Sequence, residues 1–259
     1  ADVVVDFLGD GAPLVGHGVG QAAGKADQRA QRQVVEIALG LPVAVNDERS
    51  SDVQVVDFGV EAGAAHTPLF YEVDLVDIEA LRAACAAAIR DLGGVTVLVN
   101  NAASDDRHDW REVTPEYFDD RMHVNLRHYF FAIQALAPQM IDAGLGSIVN
   151  IGSSSYLMQE DMFPGYAIAK SAVEGITRTM ARTFGPHNVR VNTVMPGWVP
   201  TERQLTKWWS PEGEAQTMRD QALKKRITPD EFVQMVLFLA ADDGGGCTAQ
   251  NFIVDGGRF

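Results

Sequence analysis

Short, nearly continuous apolar runs alternate along the chain with longer segments whose apolar positions recur at helical spacing. Residues 95–99 are the clearest short run, rich in β-branched side chains, and 147–151 and 189–194 are further strand-like segments bounded by glycine, proline or asparagine. A run that is apolar at successive rather than alternate positions suits a strand buried on both faces. Weaker runs at 42–45 and 70–73, and a last one at 251–254, complete the predicted strands.

Helical patterns lie between them. Residues 78–92 form one predicted helix, and 115–143 a long second one expected to break near Pro138. The break is placed there because proline removes a donor and clashes with the preceding turn. A helix carrying Tyr166 and Lys170 runs to about Phe184, and a further one covers 231–240. Repeated strand-helix alternation requires right-handed crossovers and predicts an α/β fold, a doubly wound parallel sheet flanked by helices.

Size and charge narrow the picture. The 259 residues, with no Pro/Gly/Ser-rich linker and no internal repeat, suit a single domain spanning 1–259. With 35 acidic against 21 basic residues, the net charge of -14 repels phosphate backbones and anionic membranes, so neither nucleic acid nor membrane is an expected partner. No apolar run reaches the ~18 residues of a membrane span, and the first residues lack the basic and apolar regions of a signal peptide. Cys85 and Cys247 make neither a disulfide framework nor a metal-ligand set, which points to a reducing cytoplasm and no metal.

The densest chemistry is Tyr166-Ala-Ile-Ala-Lys170, with Ser153 upstream at the end of the strand predicted at 147–151. Residues four apart on a helix share a face, so phenol and ammonium meet. A free tyrosine titrates near ~10 and becomes a useful base at neutral pH only beside a fixed cation. The same spacing also fits a packed aromatic followed by a solvated lysine. What favours chemistry is Ser153, Ser154 and Ser155 at a strand's carboxyl end, where ligands of open α/β sheets bind.

Several further elements stand in a fixed order: Asp74-Leu75, Asn100-Asn101-Ala102-Ala103, Asn125, Ser153, Tyr166-x-x-x-Lys170, and Pro196-Gly197 followed by Thr201. Over about residues 69–259 this set resembles the short-chain dehydrogenase/reductase family, whose fold is Rossmann-like. The resemblance implies that Tyr166 is the acid/base and that Ser153 holds the substrate oxygen. Lys170 would lower the Tyr166 pKa and bind the nicotinamide ribose, and Asn125 would complete a water-linked proton path. It implies a coenzyme, NAD or alternatively NADP, contacted by Asp74, Leu75, Asn100, Asn101, Ala102, Tyr166, Lys170, Pro196, Gly197, Val199 and Thr201. Asp74 and Thr201 also suit helix caps, and Asn125 suits an amide satisfying buried backbone.

Four stretches resemble the aldose 1-dehydrogenase branch: 105–108 (Asp-Asp-Arg-His), 209–214, 221–224 and 247–251. A sugar needs many fixed donors and acceptors and an aromatic face. Ser153, Ser155, Asp106, Gln159, Tyr166, Trp198 and Gln204 are the candidate substrate contacts, with Arg107, Glu160 and His108 behind them and His108 the least favoured. Residues 198–225, including Trp208-Trp209, are expected to form a substrate lid. The family's tetramers, built on the helices of Asn125 and Tyr166, imply a homo-oligomer, tetramer or dimer.

The coenzyme half is atypical over residues 1–66. The family's Thr-Gly-x-x-x-Gly-x-Gly loop, where backbone amides receive pyrophosphate, is absent. The nearest glycines are Gly16, Gly18 and Gly20, and Asp47 is the candidate ribose acid, favouring NAD although Arg49 follows closely. Three explanations stay open: a loop shifted to Gly16, a degenerate coenzyme half, or a segment outside the natural reading frame. The functional alternatives are a dehydrogenase of the same family acting on a polyol, another secondary alcohol or a 3-oxoacyl substrate, and a non-catalytic nucleotide-binding or scaffold protein.

Overall fold

Among the described residues four parallel strands lie side by side in the order β1 (Val97–Asn100), β2 (Gly146–Ile151), β3 (Val189–Pro196) and β4 (Asn251–Val254). The structure is a computed structural model describing Tyr71 and residues 73–259 apart from Glu202. The strand expected at 42–45, the glycines Gly16, Gly18 and Gly20, and Asp47 lie outside the described residues. Leu98 pairs with Ile148, and Ile148 with Val191, so one row of apolar side chains crosses three strands.

Helices cover both faces of the sheet. Leu98, Ile148 and Val191 pack with α1 (Ile78–Leu92), α3 (His128–Ala143) and α4 (Pro164–Phe184) through Leu81, Ile133, Leu136, Met140 and Ala181. Val149, Ile151 and Val194 face the other way, against Phe232, Val236 and Leu239 of α6 (Pro229–Ala240). Successive residues of β2 thus feed opposite cores, which is why Ile148 and Val149 are both apolar. Each fully buried Leu or Ile contributes about 1.5–3 kcal/mol.

Helix ends follow local chemistry. Asp77, not Asp74, caps α1 by accepting from the amides of Glu79 and Ala80, both at 3.0 Å. Thr114 caps α2 (Pro115–Met122), and Thr228 with Glu231 forms a reciprocal capping box on α6. The helix α5 (Pro211–Asp220) was not expected, although Ser210 before Pro211 and Glu212 is a start signal and does cap it.

Three expectations need correction. The long helix does not break near Pro138, which lies inside α3 while Leu136, Ala137 and Met140 hold the flanking turns in the core. The interruption comes earlier, as a π-helical segment His123–Arg127 around Asn125. The strand expected from residue 95 begins at Val97, because the Gln139 amide takes both backbone groups of Val95, accepting from its N–H at 3.0 Å and donating to its carbonyl. Tyr71 and Val73 belong to no strand, and the Tyr71 hydroxyl donates to Asp91 at 2.8 Å.

Candidate active site

The carboxyl end of β2 runs through Gly152 into Ser153, Ser154 and Ser155, all buried. Gly152 donates to the Val194 carbonyl at 2.8 Å and Ser154 to that of Pro196 at 3.1 Å, so the turn stays pinned to β3. Ser153 Oγ lies 3.0 Å from Ser155 Oγ and accepts from the Ser155 amide at 3.2 Å. This orients the Ser153 hydroxyl before any ligand arrives.

Helix α4 brings Tyr166 to the same place. Burial pushes the Tyr166 phenol above its ordinary value; a hydrogen bond with Ser153 pulls it down, and the carboxylates of Asp105 and Glu160 push it up. Its ring meets Phe163 edge-on, with centroids 5.4 Å apart. One turn on, Lys170 is 2% exposed, its Nζ 5.8 Å from the centre of the Tyr166 ring. Burial lowers Lys170 to about 7.

Two partners hold that ammonium. Lys170 Nζ donates to the Tyr129 hydroxyl at 2.9 Å and to the Ile151 carbonyl at 2.7 Å. An ammonium has three donors.

Asn125 is fully buried in the π-helical segment. Its Nδ2 donates to the Arg121 carbonyl at 3.0 Å, and its Oδ1 accepts from the Ser104 amide at 2.7 Å. Its side chain therefore fixes the loop after β1, and such π-segments recur at functional sites. Asn100 is also committed, its amide donating at 2.8 Å to Asn150, which donates at 2.9 Å to Thr177. Ala102 receives His128 Nε2 at 3.1 Å.

The other candidates take separate positions around this centre. Asp74 is exposed and its carboxylate accepts from the Val76 amide at 2.9 Å, while the Leu75 side chain is in the core. Gly197 lies beside β4, where a Cβ would fall 2.6 Å from Asp255 Cβ. The Thr201 hydroxyl accepts from the Gln204 amide at 3.3 Å, and the Val199 carbonyl from the Thr201 amide at 2.8 Å. Gln159 is exposed in left-handed backbone at φ 57, and Trp198 is half-buried.

Asp105 and Asp106 join the start of the expected lid. Arg203 donates to Asp106 at 2.7 Å and Gln204 to Asp105 at 2.6 Å, while Arg107 stacks over Trp208 at 4.4 Å. Burial alone would raise Asp106, but the Ser104 hydroxyl and the charges of Arg203, Arg121 and Lys207 hold it below its ordinary value. At the far side Arg258 donates to Glu160 at 3.2 Å.

Tyr129, Arg121 and Arg203 were missed by sequence reasoning. Tyr129 carried a signal, since a phenol on the apolar face of a core helix needs a polar partner. His108, the least favoured candidate, lies against the first turn of α4. Among the described residues no group of three or more His, Cys, Asp or Glu side chains could hold a metal, and no helix is long and apolar enough to cross a membrane.

Comparison with known proteins accords with this geometry. Residues 17–258 match the family model described as enoyl-(acyl carrier protein) reductase, so similarity begins well before residue 69. The D-xylose 1-dehydrogenase of Caulobacter vibrioides (strain NA1000 / CB15N) is 41% identical over 242 residues, covering 93% of this chain and 91% of the relative. A protein assigned as the galactose dehydrogenase GalD of Rhizobium meliloti (strain 1021) is 41% identical over 246 residues, covering 94% and 92%. A solved structure assigned as a gluconate dehydrogenase from Agrobacterium tumefaciens superposes with a TM-score of 0.71 at 27% identity, covering 75% of this chain and 77% of the other. By sequence and fold, the chain belongs to the short-chain dehydrogenase/reductase family.

Proposed function

We propose that this protein oxidises an aldose at C1 to its lactone, with NAD as the coenzyme and NADP as the alternative. The observation that carries the reading is the buried Lys170 ammonium one turn beyond Tyr166, with the Ser153 hydroxyl beside the phenol. The names of the two 41% identical relatives support an aldose over other alcohols.

The Ser153 hydroxyl, held by Ser155, receives the C1 oxygen of the sugar. Tyr166 takes the proton of that hydroxyl as the C1–O double bond forms, and Lys170 stabilises the phenolate it must present. The coenzyme, when bound, accepts the hydride that leaves C1. Lys170 offers its third donor to the ribose, and Asn125 keeps the β1 loop in place and serves the water-linked proton path. Asp74, Leu75, Asn100, Asn101, Ala102, Pro196, Gly197, Val199 and Thr201 are assigned to the coenzyme, with Gly16, Gly18, Gly20 and Asp47 for its pyrophosphate and adenine ribose. Ser155, Asp106, Gln159, Trp198 and Gln204 are assigned to the sugar, and residues 198–225 to its lid.

The protein works as a homo-oligomer, dimer or tetramer. Support comes from a groove between α3 and α4, lined by Phe130, Gln134, Pro138, Ile141 and Met180 over the buried Ile133. Its setting is the cytoplasm, which suits the free thiols of Cys85 and Cys247.

The test is turnover of aldoses, polyols and 3-hydroxyacyl substrates with NAD and with NADP, followed by nicotinamide reduction and lactone detection. Aldose-dependent reduction with lactone formation is expected. Turnover of polyols or acyl substrates with none of aldoses would reject the reading.

A further inference from the structure

Helix α4 starts without a cap of its own. Its N-cap residue is Phe163, which makes no side-chain cap hydrogen bond, and Pro164 has no N–H. The first amide needing an acceptor is therefore that of Gly165, next to Tyr166. It finds one far away in sequence: His108 Nε2 accepts the Gly165 N–H at 3.1 Å.

The imidazole is itself fixed from three sides. Nδ1 lies 3.0 Å from the Asp106 carbonyl and 3.1 Å from the Tyr117 hydroxyl, and the ring packs edge-on against Tyr117 at 4.9 Å. The His108 amide donates to the Met162 carbonyl at 2.9 Å, just before the helix. The Gly165 amide can only donate and the Asp106 carbonyl can only accept, so Nε2 is bare and Nδ1 carries the proton. A Cβ at residue 165 would lie 3.2 Å from Arg121 Cγ and 3.4 Å from His108 Nε2, so the glycine admits this close approach.

We propose that His108 is a positioning residue, an N-cap delivered by the loop after β1 that sets the first turn of α4 and thereby the Tyr166 phenol. The same loop holds Arg203 and Gln204 through Asp106 and Asp105, so one short segment braces both the acid/base helix and the start of the lid. The inference rests on Tyr166 being the acid/base. Its cause is general: ordinary helix caps supply an acceptor to the second or third amide, and His108 does so from outside the helix. A small displacement of a reacting group costs far more rate than binding.

The test compares His108→Gln, whose amide oxygen can reproduce the Nε2 acceptor, with His108→Leu, which cannot. In the full-length protein His108→Leu is expected to lower kcat for aldose oxidation roughly tenfold to a hundredfold with KM changed much less. His108→Gln is expected to stay within about threefold of the parent in kcat, as preserving an acceptor preserves the cap. Amide hydrogen exchange over residues 163–170 should quicken in His108→Leu and stay near parental rates in His108→Gln. Equal kcat losses in both variants, or unchanged kcat and exchange in His108→Leu, would overturn the proposal. If the parent oxidises no aldose while the exchange pattern holds, the functional reading fails and the cap stands. If His108→Leu does not fold, loss of kcat and protection in His108→Gln alone decides against it.

Discussion

Lys170 Nζ donates to the hydroxyl of Tyr129 at 2.9 Å and lies 4.9 Å from the centre of its ring, with both side chains buried. The Tyr129 hydroxyl donates in turn to the Ile151 carbonyl at 3.1 Å, which Lys170 also reaches at 2.7 Å. The three groups close a triangle beneath Tyr166. It ties the ammonium to β2 and to the helix that follows the Asn125 segment.

Tyr129→Phe removes one acceptor from the ammonium while keeping the packing. Lys170, already lowered by burial to about 7, should lose its proton at still lower pH, so the Tyr166 phenolate has less cationic support. The rising limb of kcat against pH for alcohol oxidation is expected to move about one unit to higher pH, the scale of one charge-assisted hydrogen bond. KM for the aldose should change less than about twofold, because no sugar contact is removed. A pH profile that overlays the parent's would show that Tyr129 only fills space.

Lys170 also sets a stability cost whose sign can be worked out. Its folded pKa of about 7 lies below the ordinary 10.5, so between those values the unfolded chain holds a proton that the folded chain lacks. Stability from this group is therefore fully present above 10.5 and is lost as pH falls toward about 7. Lys170→Met should abolish activity yet raise stability at neutral pH by on the order of 1–2 kcal/mol. Tyr129 can still satisfy the Ile151 carbonyl in that variant. Denaturant unfolding at several pH values checks this: the gain should shrink as pH approaches 10.5.

The sheet was legible because burial on both faces leaves nearly unbroken apolar runs, as at Val95 to Val99. The clustering of Ser153, Tyr166 and Lys170 was legible because they stand at the end of a strand and along one helix, where spacing fixes geometry. The π-segment at Asn125 was not, since its apolar spacing matches an ordinary helix and only the folded backbone shows it. Nor was the role of His108, whose partner Gly165 is brought to it only by the fold. Pro138 stays inside α3 because the core packing of Leu136, Ala137 and Met140 on either side outweighs the local cost of a proline.

Gly197 is required by a close approach rather than by backbone freedom. A Cβ there would lie 2.6 Å from Asp255 Cβ and 2.9 Å from its Cα, and the Gly197 amide donates to the Val254 carbonyl at 3.1 Å. Gly197→Ala must push β3 and β4 apart at their carboxyl ends. We expect a stability loss of about 1–3 kcal/mol by thermal or denaturant unfolding, the usual cost of overpacking. Unchanged stability would mean that Asp255 shifts freely.

The junction between the β1 loop and the proposed lid offers a different readout. Arg203 donates to Asp106 at 2.7 Å and lies 3.5 Å from Asp105, with its own side chain 14% exposed and that of Asp106 49% exposed. An ion pair half open to water contributes little to global stability, so Arg203→Met should change it by less than about 1 kcal/mol. Asp106 should respond more clearly, because Arg203 is among the charges that outweigh its burial and hold its carboxyl low, and its pKa should rise in the variant. With the lid less firmly attached, sugar KM is expected to rise roughly threefold to tenfold while kcat changes less, since closing elements mainly secure bound substrate. Steady-state kinetics with aldose varied at saturating coenzyme checks the split. A fall in kcat at constant KM would move Arg203 from holding the lid to acting on the reacting groups.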